Sequence, residues 1–138
     1  MSDVVDWDLL VARAEAARGN AHAPYSGFSV GSALWVGDGQ VFAGCNVENA
    51  AFPSAQCAEA SAIGVMISAV GAVPIRAVVV ATRGDTLTWP CGNCRQKLAE
   101  FAAPDALVMA VTETRRSPPR RLTDLLPAAF VDFEAQPR

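Results

Sequence analysis

The chain has 138 residues, 51% of them apolar and 7% aromatic, enough for one domain to bury a core of Ala, Val, Leu and Ile without disulfide staples. A formal net charge of −3 argues against a nucleic-acid partner, whose phosphates require a basic face, and no apolar run approaches the roughly 20 residues that cross a membrane. The acidic start, Met1 to Asp6, lacks the basic, apolar and small-residue order of a secretion signal, so a reducing, cytoplasmic setting is expected and the four cysteines read as thiols or ligands before disulfides.

In chain order, residues 6–18 set Leu9, Leu10, Ala12, Ala14 and Ala17 at helical spacing, and Gly19-Asn20 ends the run. Ala23-Pro24-Tyr25-Ser26-Gly27 is loop, with His22, the only histidine, exposed at its edge. Residues 28–35 read as a strand that offers Val30, Ala33 and Trp35 for burial. Gly37-Asp38-Gly39 is a hairpin signal, and residues 40–45 return as the second strand. Residues 54–70, rich in Ala, Ile, Val and Met, predict a buried helix. The uninterrupted Ala77-Val78-Val79-Val80-Ala81 predicts a strand covered on both faces, within residues 76–81. Pro90 suits the first turn of a helix running to Phe101. Residues 106–111 give another covered strand, the arginines 115, 116, 120 and 121 a solvated loop, and residues 122–126 a last short helix. This order predicts one domain over residues 1–138, an α/β fold built as a three-layer α/β/α sandwich on a mixed β-sheet.

The chemistry concentrates in Cys57-Ala58-Glu59 and in Pro90-Cys91-Gly92-Asn93-Cys94. Three thiolates from two segments make an incomplete tetrahedron. Structural zinc closes all four positions with protein, whereas catalytic zinc keeps one open for water. Helix starts favour the thiolate form that binds metal, and a Cys-x-x-Cys pair at such a start turns both sulfurs towards one point. Glu59 would then carry protons beside the metal. Residues two apart in a regular helix diverge, so Cys57 and Glu59 share a site only if the helix is just beginning there; Pro53-Ser54 supports such a start. Other readings of the cysteines are a redox dithiol at Cys91 and Cys94, and a closed structural site with Cys45 as fourth ligand. Cys45, at a strand end among apolar neighbours, reads instead as a small buried hydrophobe.

The two motifs match the signature of zinc-dependent deaminases, with cysteine where others carry histidine. Over nearly its whole length the chain resembles the small, three-cysteine, homotetrameric cytidine deaminases. Ala23-Pro24-Tyr25-Ser26, Phe28, Val30-Gly31, the segment from Gly44 to Ala50, Pro90 to Gln96, and Leu125-Leu126-Pro127 with Phe130 carry the likeness. The resemblance implies one zinc per chain on Cys57, Cys91 and Cys94, with Glu59 as the catalytic acid/base. It further implies that Asn46 and Glu48 bond the ribose and that Phe28 packs on the nucleoside. Ala58 would meet the base through its backbone, and Phe130 would reach a neighbouring subunit's site. Alternatively, Asn46 and Glu48 are a polar strand end capping a turn. The activity implied is hydrolytic deamination of cytidine and deoxycytidine to the uridine products and ammonia, within pyrimidine salvage. A deaminase for another amino-pyrimidine nucleoside or nucleoside antibiotic, and a non-catalytic structural zinc module, stay open. Two positions depart from the family pattern: Ala60 stands where Arg is usual, and Phe52 where Tyr is usual. The net negative charge of three thiolates on zinc then falls to Arg95, expected to hydrogen-bond the sulfurs from outside the ligand set.

Overall fold

The computed structural model describes residues 4–133. Helix α1, Trp7–Arg18, begins one residue after the expected start, because the Asp6 carboxylate accepts the Leu9 backbone N–H at 3.1 Å and caps the first turn. Strands β1, Gly31–Trp35, and β2, Val41–Cys45, form an antiparallel hairpin. Asp38 takes up the left-handed conformation that the turn needs, with φ of 50°. Helix α2, Ala58–Val70, is followed by β3, Ile75–Ala81, then by helix α3, Gly92–Phe101, and strand β4, Ala102–Val111. A two-residue strand β5, Arg120–Arg121, and a short helix α4, Leu122–Leu125, complete the order.

The five strands make one mixed sheet in the order β2-β1-β3-β4-β5, parallel only between β3 and β4. Strand alternation splits the core in two. Ala33, Trp35, Ala77, Val79, Ala81, Met109 and Val111 face α1, packing on Leu10, Val11 and Ala14. Leu34, Val78, Val80 and Val108 face the other way, against Ala62, Ile63 and Met66 of α2, Leu98 of α3 and Leu122 of α4. The expected three layers are therefore present, with α1 alone on one side. Two glycines set how closely the layers approach. A Cβ on Gly31 would lie 1.9 Å from the Ala14 carbonyl oxygen, and one on Gly44 would lie 2.5 Å from the Ala62 nitrogen. The second approach brings the α2 backbone directly onto the end of β2.

Several expected boundaries move, each for a local reason. Residues 28–30 are not strand: the Val30 N–H is held by the Asn46 side chain and not by a neighbouring strand. The helix expected from residue 54 starts at Ala58, because Phe52–Ser54 closes a separate 3₁₀ turn and the chain is extended at Ala55 and Cys57. Pro90 lies just outside α3, since Cys91 is its N-cap. Strand β4 begins four residues earlier than Ala106, through an irregular stretch where the pairing jumps from Ile75↔Ala102 to Ala77↔Leu107 and Pro104 and Asp105 face solvent. Arg120 and Arg121, expected in loop, pair with Val108 and Leu107 as β5. Among the described residues no helix is long and apolar enough to cross a membrane.

Candidate active site

Both cysteine motifs sit at helix starts. Cys57 is the N-cap residue of α2, in extended conformation, so Glu59 is only the second residue of the helix. The condition for Cys57 and Glu59 to face one site is met. Cys91 is the N-cap residue of α3, and its sulfur accepts the Cys94 N–H at 3.5 Å, which folds the Cys-x-x-Cys segment back on itself. The result is a cluster in which the ligand atoms of Cys57, Cys91 and Cys94 all lie within 4.8 Å of one another. Tetrahedral zinc with bonds of about 2.3 Å needs sulfurs roughly 3.8 Å apart, so a small contraction seats the ion. Cys94 is buried, while Cys57 and Cys91 are exposed on the cleft side. Cys45 is half-buried at the end of β2 and is not part of the cluster, nor is the exposed His22.

Burial is the leading influence on Cys94 and Cys57. It pushes the Cys94 thiol up strongly, helped by the Glu59 carboxylate and the neighbouring thiols, and it pushes Cys57 up as well. Such thiols hold their protons in the free chain and release them to a bound cation, so metal binding and deprotonation are one event. Glu59 is 4% exposed, and burial raises its carboxyl above the ordinary value of 4.5, against a smaller lowering by its own backbone and the Cys94 side chain. A buried carboxyl that ionises nearer neutrality is suited to taking and returning a proton.

The cluster opens into a cleft of about 250 Å³. Its α2 side is Ala55, Gln56, Cys57, Ala58 and Glu59; Phe28, Val30, Asn46 and Glu48 form one end; Val80, Thr88, Trp89 and Cys91 form the remaining wall. Asn46 and Glu48 reach this cleft and also do what the alternative reading gave them. The Asn46 side chain accepts from Val30 N–H at 2.9 Å and donates to the Phe28 carbonyl at 2.8 Å. The Glu48 carboxylate accepts from the backbone N–H groups of Tyr25 and Ser26, at 3.0 and 3.1 Å, and from the Ser26 hydroxyl. These bonds, the Ser26 side chain first, hold Glu48 below the usual carboxylate value. Each group keeps lone pairs or an N–H for a ligand while fixing the loop that carries Phe28.

Arg95 is placed differently from expectation. Its Nε donates to the Pro90 carbonyl at 2.7 Å and its guanidinium to the Leu125 carbonyl at 2.8 Å, tying the Cys91 segment to α4. Phe130 is 67% exposed and lies outside the lining of its own chain's cleft, with its carbonyl accepting from Gln96 at 2.7 Å. Ala60 is buried and borders a separate groove between α2 and α3. Trp89 and Thr88 line the cleft but were not singled out from the sequence; their position directly ahead of Pro90-Cys91 was the available signal.

Known proteins share this fold and much of this sequence. Residues 6–111 match the family described as the cytidine and deoxycytidylate deaminase zinc-binding region. A cytidine deaminase of Mycobacterium tuberculosis is 40% identical over 126 residues, 91% of this chain and 90% of that protein. One from Sporosarcina psychrophila is 38% identical over 127 residues, 91% of this chain and 92% of its own length. The crystal structure of the Burkholderia pseudomallei cytidine deaminase superposes with a TM-score of 0.83 at 38% identity, over 94% of this chain and all of that one. A fold, a three-sulfur cluster and a sequence likeness that all extend over the same stretch of chain have one explanation: this protein belongs to the cytidine deaminase family of zinc hydrolases.

Proposed function

We propose that the chain deaminates cytidine and deoxycytidine hydrolytically, giving the uridine products and ammonia. The observation that carries this reading is Glu59, a buried carboxyl at the start of α2, beside a three-cysteine cluster whose open side is a cleft of nucleoside size. Zinc held by Cys57, Cys91 and Cys94 would supply a water acidified to near neutral pH. As the water oxygen bonds C4, Glu59 would take one of its protons to the ring nitrogen next to C4, then carry the second to the amino group, which leaves as ammonia as the C4–N bond breaks. The Ala58 backbone, at the first helical position, meets the base, and Phe28 packs on it. Asn46 and Glu48 present an amide and a carboxylate to the sugar hydroxyls.

The lining favours a nucleoside over a nucleotide. Among the described residues that line the cleft there is no Lys, Arg or His, and Glu48 stands where a phosphate would need a cation. Activity is further assigned to a homotetramer in which Phe130 serves a neighbour's cleft. The exposed apolar side chains Phe52, Val65, Ile67, Val70 and Phe130 support an assembled state. The setting that fits is pyrimidine salvage in the cytoplasm.

An absorbance assay of the zinc-loaded protein with cytidine, deoxycytidine, cytosine and deoxycytidine monophosphate tests the reading. The two nucleosides are expected to turn over, with the base and the nucleotide far slower. Zinc-loaded protein inert on both nucleosides would point instead to another amino-pyrimidine or to a structural zinc module.

A further inference from the structure

The wall of the cleft that belongs neither to α2 nor to the β1–β2 end holds a large side chain with no part in the proton chemistry. Trp89 is half-buried, packs against the core beneath α2 and α3, and lines the cleft beside Val80 and Thr88. The guanidinium of Arg120 sits 5.1 Å from the centroid of its ring. A cation within about 6 Å of an indole face is attracted to it, so the ring is held from the core and from the surface. Arg120 is itself fixed by its pairing with Val108. The two-residue strand β5 thus braces a wall of the cleft.

Ring geometry decides what meets that wall. In cytosine, N3 and C5 flank C4 on opposite sides, and N1 with its sugar lies across the ring from C4. A ring with C4 at the sulfur cluster, its sugar at Asn46 and Glu48, and N3 towards Glu59 turns its C5–C6 edge away from the first turn of α2. The lining residues on that remaining side, apart from the ligand Cys91, are Val80, Thr88 and Trp89. We propose that Trp89, positioned by Arg120, is the specificity-determining wall at the C5 edge of the pyrimidine and limits the size of a substituent there. This rests on the amino-pyrimidine reading above.

The test is the ratio of kcat/KM for 5-methylcytidine to that for cytidine, measured on wild type, Trp89→Ala, Trp89→Leu and Arg120→Ala. A ratio taken within one preparation cancels differences in folded or zinc-loaded fraction. One methyl group against a tight apolar wall changes discrimination by about 10-fold or more, so removing the indole should raise the ratio by that amount. Arg120→Ala, which keeps the indole and loosens it, should raise it less. The deoxycytidine-to-cytidine ratio reads the sugar end and should stay fixed in all variants, which a general loosening of the fold would not allow. A 5-methyl ratio unchanged in the soluble Trp89 variants, or a sugar ratio that moves with it, overturns the proposal and leaves cytidine deamination standing. Should neither Trp89 variant fold, an Arg120→Ala ratio equal to wild type overturns it. Wild type without cytidine turnover removes both the proposal and the reading beneath it.

Discussion

Glu48 shows how one side chain can fix a loop and line a cleft at once. Its carboxylate gathers Tyr25, Ser26 and hence the loop that carries Phe28, while the residue also lines the cleft. Because those bonds favour the charged form, its stabilisation is complete above the ordinary value of 4.5 and is lost as pH falls through the depressed folded value. The melting-temperature gap between wild type and Glu48→Gln should therefore be steady from about pH 7 to about pH 5 and narrow below that. A gap that widens in acid contradicts the assignment. Cys45 makes the complementary case: a cysteine near the site in sequence that the fold keeps out of the cluster. Elemental analysis of Cys45→Ser should show full zinc, and of Cys94→Ser almost none. Zinc lost from the Cys45 variant would mean a closed structural site.

Among the elements, the long ones were legible in the sequence because each carries a single unmixed signal. The run from Ala77 to Ala81 reads as a strand covered on both faces, and the spacing of Leu9, Leu10, Ala12, Ala14 and Ala17 as a helix. What escaped were elements too short or too irregular to have a period: β5 is two residues, and the start of β4 contains Pro104. The three-cysteine cluster was legible from spacing, because thiol chemistry restricts the motif. Trp89 was not, because its part depends on β5, which only the fold brings behind it. Arg95 likewise changes meaning once its partners are known. It acts between elements, joining the Cys91 segment to α4 through two carbonyls. Arg95→Ala should leave both carbonyls without that partner and lower zinc retention or turnover by about 10- to 100-fold. Arg95→Lys should rescue little, because an ammonium lacks the planar fork that reaches two acceptors. Full activity in Arg95→Ala would show that the Cys91 segment holds its shape alone.

On the scale of the whole molecule, one chain leaves much apolar surface uncovered. Phe52 is 71% exposed and Phe130 67%, and the outer face of α2 presents Val65, Ile67 and Val70. Assembly into a tetramer of the 14.5 kDa chain would cover such a surface, and light scattering should report that mass. Complementation tests the shared site more closely. Glu59→Gln lacks the proton carrier but retains Phe130, and Phe130→Ala has the reverse defect. Mixed and reassembled, the two should exceed the activity of either alone, since a Phe130→Ala cleft can receive the aromatic ring of a neighbour. A fully active monomer, or mixtures no better than their parts, would contradict the shared site.

In the proposed reaction Glu59 moves protons beside a metal that it does not bind. Gln is nearly isosteric with Glu but cannot take up and return a proton near neutral pH. Glu59→Gln should keep its zinc, its melting temperature within a few degrees and its oligomeric mass, while cytidine turnover falls by at least about 10²- to 10⁴-fold, the usual contribution of a general acid/base. All of these are read on one preparation. Zinc-loaded, folded Glu59→Gln with near-normal turnover would contradict the account.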